Sequence, residues 1–229
     1  MGLLLFRLRL LIDFQVRTVY RDVKVFLKDC QGKLLDVGCG ICPYRHLVLA
    51  AGCAYVGVDI AEADRFGYDQ PDILHFDGAR IPLPPNSVDC ILCTEVLEHA
   101  AEPVVLIAEM HQVLKVGGEA LITVPWSARN HYMPYDYHRF TPDQLQRMFS
   151  AFSSVHVQPR GTDLTVIAAK IIVVYARCLS QNIRHPIGFL LALIFLPLLP
   201  FVVLAGHLSL LFRLGSKDDP LGYSIRVKK

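Results

Sequence analysis

A glycine-containing turn and three aspartates have the clearest chemical potential in this chain. The turn is Leu34-Leu35-Asp36-Val37-Gly38-Cys39-Gly40, an apolar run that delivers Gly38 and Gly40. Glycines at such a place let the main chain approach a ligand closely. Dinucleotide enzymes use related turns, so the turn alone leaves the ligand class open. Asp36, Asp59 and Asp77 each stand in or just after a short apolar run. Taken singly, Asp36 and Asp77 read as loop carboxylates and Asp59 as a helix cap. For all three to land by chance at the ends of successive strands is improbable.

A second group is rich in histidine and aromatic residues. His99 comes first, then His131, then His138 among Tyr132, Tyr135, Tyr137, Arg139 and Phe140. Such a loop fits a substrate-facing surface or a lid that packs its own rings. Two cysteine pairs, Cys39/Cys42 and Cys90/Cys93, have a spacing that can mean zinc. The first lies inside the glycine turn. In the second, strand residues three apart face opposite sides. No metal is expected at either.

These residues need elements that end where they begin. Strands are expected at Lys33–Val37, Ala54–Val58, Asp72–Phe76, Val88–Cys93, Glu119–Val124 and Val155–Gln158. Val88–Cys93 is apolar nearly throughout, as a strand covered on both faces would be. Helices are expected from Pro43 to Ala51, from Pro103 to Leu114 with Gly117-Gly118 as its stop, and from Thr141 to about Ser150. At the last, Thr141 can cap, Pro142 suits the first position and Gln144 can complete a capping box. Alternating strands and helices of this length imply a parallel α/β sheet with right-handed crossovers. Ligands bind such sheets beyond the carboxyl ends of the strands.

LLDVGCG, YVGVDI, HFDGARIPLPPNSVDCILCTEVLEH and EMHQVLKVGGEALITVP resemble, in order and spacing, the successive motifs of class I S-adenosylmethionine-dependent methyltransferases. The resemblance runs from Lys33 to Phe152. PYDYHRFTPDQL is similar to the type 11-like branch that includes quinone-biosynthesis and cell-surface glycan methyltransferases. The resemblance implies a Rossmann-like fold, with a mostly parallel seven-stranded sheet and an antiparallel last strand. It implies S-adenosyl-L-methionine as cofactor. Gly38 and Gly40 would then shape the turn around the methionine part, and Asp36 would favour its amino end. Asp59, with Ile60 beside it, would accept from the ribose hydroxyls. Asp77 would accept from the adenine amino group, with Gly78 and Ala79 beside the ring. Thr94 and Glu95 would line the cleft after the fourth strand. Cys42 departs from the pattern, because many members carry a third glycine there.

The implied reaction is a displacement at a sulfonium carbon, whose leaving group is already activated. The protein mostly aligns the nucleophile with the methyl group. A base is needed only if the acceptor must lose a proton. His138, His99 and His131 are the candidates, ahead of Glu95.

The 229 residues are 53% hydrophobic, with the excess concentrated after Gly161. A formal net charge of +2 gives no electrostatic reason to expect nucleic acid. Basic residues cluster at the N-terminus and in the tail, which fits an anionic membrane surface or a solvated face. Seven scattered cysteines suit reduced thiols in a cytoplasmic domain. MGLLLFRLRLLIDF is interrupted by Arg7 and Arg9 and lacks a cleavage site, so it does not read as a signal peptide. Gly2 lacks the downstream hydroxyl of a myristoylation site.

The expected organisation is a covering or amphipathic helix at 1–30, a cofactor-binding core at 31–160, a hydrophobic insert at 161–219 and the last strand at 220–229. Within the insert, residues 187–214 are apolar apart from His207 and Arg213 and long enough to span a bilayer. Pro197 and Pro200 are expected to break that run into two half-helices. Bases flank it on both sides, at Arg177, Arg184, Arg213 and Lys217, so orientation is not signalled. A re-entrant or in-plane hairpin with both ends cytosolic is the leading picture, beside two full spans or a soluble cap. The partner expected is a small-molecule or lipid-linked acceptor at a membrane. Two other readings stay open: an NAD(P)-dependent oxidoreductase, and a non-catalytic methyltransferase-like membrane scaffold.

Overall fold

The computed structural model describes residues 3–61, 72–180 and 186–229. Gly2 and Arg184 lie outside them. The chain divides into two compact units, residues 19–158 with 223–229 and residues 1–18 with 159–222.

The larger unit is built on a seven-stranded sheet of order β3-β2-β1-β4-β5-β7-β6. Its strands are β1 (Lys33–Val37), β2 (Ala54–Ile60), β3 (Ile73–Phe76), β4 (Val88–Thr94), β5 (Leu114–Pro125), β6 (Ser154–Arg160) and β7 (Gly222–Lys228). The pairs β3-β2, β2-β1, β1-β4 and β4-β5 are parallel. Against β6, the last strand runs the other way: Ser153 N–H donates to the Lys228 carbonyl, and Leu221 N–H to that of Arg160. The sheet is thus mostly parallel with an antiparallel β7, a Rossmann-like methyltransferase arrangement.

Alternation along the strands feeds two cores. Leu35, Val37, Ile91, Cys93 and Ile122 face one side, where α4 (Pro103–Val113) brings Leu106 and Met110 and α5 (Pro142–Met148) brings Leu145. Leu34, Cys90, Leu92 and Leu121 face the other, covered by Val19, Val23 and Phe26 of α2 (Phe14–Phe26) and Val48 of α3 (Arg45–Ala50). Cys90 and Cys93 therefore lie in different cores. Each fully buried aliphatic side chain contributes about 1.5–3 kcal/mol.

Two helices begin or end elsewhere than the sequence suggests. α3 starts at Arg45, because Cys42 takes a left-handed conformation (φ 51°) and Tyr44 is the N-cap, leaving Pro43 outside. α4 ends at Val113, and Leu114 is already extended, with φ −70° and ψ 134°. Gly117-Gly118 does not stop a helix but sits inside β5, where pairing to β4 jumps from Val88↔Leu114 to Cys90↔Glu119. Gly117 has φ +79°, and a Cβ on Gly118 would lie 2.8 Å from the Asp89 carbonyl oxygen. Only glycine tolerates both demands.

The smaller unit contains α1 (Leu3–Ile12), α6 (Asp163–Ser180), α7 (Pro186–Phe195) and α8 (Leu199–Phe212). The α-helix is interrupted at the prolines as expected, α7 giving way to α8 through a 3-10 turn at Leu196–Leu198. The two still form one helical run, Ile187–Phe212. Pro197 and Pro200 each fall in the first turn of their element, where no N–H partner is lost. α6 packs along this run. A buried hydroxyl cluster ties them together: Ser209 Oγ lies 2.8 Å from Thr162 Oγ1 and 2.7 Å from Thr165 Oγ1. Gly206 faces Phe14 so closely that a Cβ would come within 2.3 Å of its ring.

Candidate active site

The site begins where β1 ends. Gly38 and Cys39 donate N–H bonds to the Val58 carbonyl, at 2.8 and 3.2 Å, which folds the turn over the end of β2. Gly38 and Gly40 have φ of 66° and 50°, the region glycine enters without cost. A Cβ on Gly38 would meet Val96 Cγ2 at 2.4 Å, so the turn lies directly against the loop after β4. On one side of β1 lie β2 and β3, on the other β4 and β5. That reversal is the switch point at which open α/β sheets bind ligands.

The three aspartates come to the carboxyl ends of β1, β2 and β3. Asp36 is buried, and its Oδ2 accepts from the Tyr55 hydroxyl at 2.8 Å. Burial raises its pKa to about 7, the Tyr55 bond works the other way, and the Asp59 charge adds to the rise. Asp59 bridges turn and strand: Oδ2 accepts from Gly40 N–H at 2.7 Å and Oδ1 from Ile60 N–H at 2.8 Å. Each oxygen has two lone pairs, so these bonds do not use up its accepting capacity. Asp77 is exposed, and its Oδ1 accepts from the N–H groups of Ala79 (2.9 Å) and Arg80 (2.7 Å) across a turn made possible by Gly78 at φ 82°. Those bonds, led by Arg80's, hold its carboxyl below the usual range. An open cleft of about 470 Å³ lies along this end, lined by His75, Phe76, Asp77 and Arg80.

Thr94 ends β4, and Glu95 takes φ 55° with its N–H on the Thr123 carbonyl. The polar-aromatic loop is fastened to the β4–α4 connection, because Tyr137 and His138 N–H groups both bond the Glu98 carbonyl. The ring of His138 is engaged as well: Nε2 lies 3.1 Å from the Ala100 carbonyl oxygen, and Phe140 stacks nearby. His99 and His131 meet instead, with Nε2 atoms 3.2 Å apart. Burial holds the His99 imidazole below its ordinary pKa. Asp136 anchors the loop through a two-point pair with Arg139 (2.6 and 3.0 Å) and accepts from His131 N–H. The Arg139 guanidinium keeps the Asp136 carboxyl far below the usual carboxylate range.

Three participants escape a reading of the sequence alone. Tyr55 is found only through register: Gly57 pairs with Asp36, and Tyr55, two residues earlier, shares its face. Asp136 looks like one more loop carboxylate until Arg139 and His131 close on it. Glu98 passes for a surface acid beside His99, yet it is fully buried.

Comparison with known proteins bears on the family and the fold. A family model described as a methyltransferase domain matches residues 35–122. A Mycolicibacterium smegmatis protein described as a "probable S-adenosylmethionine-dependent methyltransferase" is 33% identical over 101 residues, 42% of this chain and 39% of that one. The ubiquinone biosynthesis O-methyltransferase of Acinetobacter baylyi is 26% identical over 101 residues, 40% of this chain and 42% of its own. The matches thus span only about two fifths of those relatives. The crystal structure of a SAM-dependent methyltransferase from Archaeoglobus fulgidus shares the fold with a TM-score of 0.60, covering 95% of both chains at 19% identity. Residues 35–122 make up a methyltransferase domain of the class I S-adenosylmethionine-dependent family.

Proposed function

We propose that the protein transfers the methyl group of S-adenosylmethionine to a small or lipid-like acceptor at a membrane surface. The observation that carries the reading is the row of three aspartates at the carboxyl ends of β1, β2 and β3, beside a glycine turn at the switch point. The residues fit the cofactor. Gly38 and Gly40 hold positive φ, which lets the main chain of the turn approach the methionine part closely. Asp36 offers a carboxylate to the cationic amino end. Asp59 accepts ribose hydroxyls through lone pairs that Gly40 and Ile60 do not use. Asp77 would offer its second oxygen to the adenine amino group, with Gly78 and Ala79 beside the ring. The cofactor supplies a methyl group already activated on sulfonium. The protein aligns the acceptor, and the loop 131–140, fastened to Glu98 and Ala100, would help to exclude water.

The membrane part rests on the helical run Ile187–Phe212, with a mean hydropathy of 2.8 and only 6% of its most apolar stretch buried. Leu190, Ile194, Phe201, Leu211 and Phe212 are all exposed along it. An apolar surface of that extent marks a membrane or protein contact rather than a water-facing helix. The run seats in the bilayer and leaves the methyltransferase domain on the cytoplasmic side. Methyl-labelled cofactor, incubated with the full chain and a membrane extract, is expected to leave label in the organic phase only when the protein is present. Label confined to the aqueous phase would contradict a lipid-like acceptor. Recovery of the protein in a detergent-free soluble extract would contradict the membrane seat.

A further inference from the structure

We infer that Glu98, His99 and His131 form a binding site for one divalent transition-metal ion, zinc being the representative case. Their ligand atoms all lie within 4.8 Å of one another. No other trio of histidine, cysteine or acidic side chains is so placed among the described residues.

The tautomers are fixed by partners that can only accept. His99 Nδ1 lies 2.7 Å from the Tyr135 carbonyl oxygen, so Nδ1 carries the hydrogen. His131 Nδ1 lies 3.1 Å from the Arg129 carbonyl oxygen and 3.2 Å from Asp136 Oδ2, so the same holds there. In the neutral rings both Nε2 atoms then present lone pairs, and they present them to each other across 3.2 Å. Two lone pairs converge at that distance only around a cation, either a proton held by one ring or a metal ion. Two imidazole nitrogens bound to one zinc ion at about 2.0–2.1 Å in tetrahedral geometry stand roughly 3.3 Å apart. The observed separation is that of a pre-set ligand pair.

The surroundings complete the case. The fully buried carboxylate of Glu98 approaches to 3.7 Å from His99 Nε2 and adds the anionic oxygen a divalent ion favours. Carbonyl and carboxylate groups on both Nδ1–H atoms are the outer-shell partners that orient metal-binding imidazoles. Asp136 holds its place through Arg139. Two imidazoles and one carboxylate leave coordination positions open for an oxygen ligand. The ligands come from the connections after β4 and β5, the first of which also packs on Gly38 through Val96. Holding an acceptor oxygen there is a role that rests on the methyl-transfer reading; ion binding itself does not.

The test is a zinc titration by calorimetry on the detergent-purified full chain, stripped with chelator and free of cofactor, with cobalt absorption alongside. One ion per chain is expected, with a cobalt spectrum lacking thiolate charge-transfer bands. His131→Ala should weaken binding at least about a hundredfold, and Asp136→Asn about 10–100-fold, as loss of an outer-shell partner does. Circular dichroism melting confirms that each variant is folded. Absence of stoichiometric binding, binding unchanged in folded His131→Ala, or thiolate bands from the cysteines would each overturn the site. Zinc binding by a protein that fails to bind S-adenosylmethionine would leave this site standing and the methyl-transfer reading fallen.

Discussion

Asp36 is the residue on which charge and burial compete most openly. A carboxylate with its pKa raised to about 7 is half protonated at neutral pH. Because the folded value lies above the unfolded one, Asp36 withdraws stability as pH rises from about 4 to 7, and the loss is complete above the folded value. A cation placed beside it reverses the balance, since it binds the ionised form. Affinity for S-adenosylmethionine should therefore tighten about tenfold between pH 6 and pH 8, with a proton released on binding below neutrality. Calorimetry across that range checks it, and Asp36→Asn should flatten the dependence. An equally steep profile in the variant would assign the titration elsewhere. Asp36, Asp59 and Asp77 were legible from spacing, because strand ends repeat along the chain. Tyr55, Glu98 and Asp136 were not, because their roles depend on pairing register and burial that no local pattern encodes. Cys42 holds a left-handed backbone, the conformation that favours the glycine expected there from the resemblance.

At the scale of elements, prolines and glycines had local signals whose meaning packing decided. Pro197 and Pro200 read as breakers, and the α-helix does give way there to a 3-10 turn, through which the helical run continues. Gly117-Gly118 reads as a helix stop, yet it serves an irregularity inside β5. Gly206 carries the sharpest conflict. Helix propensity favours alanine over glycine by about 0.8–1 kcal/mol. Packing opposes it, because the new Cβ would lie 2.3 Å from the ring of Phe14, itself 1% exposed. Overpacking of that kind costs about 1–3 kcal/mol, so Gly206→Ala should lower stability on balance. Thermal unfolding in detergent, followed at helix wavelengths, should show a lower midpoint. A raised midpoint would mean that Phe14 yields and propensity wins.

At the scale of the molecule, the sheet was the most legible part. Alternating apolar runs and turn residues set its strands, and the resemblance set its order, including an antiparallel β7 beside β6. The hydrophobic segment was legible as a segment, since composition alone marks it. Its internal form was legible only in part, because a proline marks the break but not whether the helical run continues through it. Both units bear on the proposed function, but the cofactor is its centre. The most direct measurement is S-adenosylmethionine binding by calorimetry on the detergent-solubilised full chain, with Asp59→Ala alongside. Asp59 closes the turn onto β2 through Gly40 and Ile60, so the variant should lose binding while the wild type keeps it. A folded wild-type protein that binds no S-adenosylmethionine would contradict the enzyme reading and leave a methyltransferase-like membrane scaffold in its place.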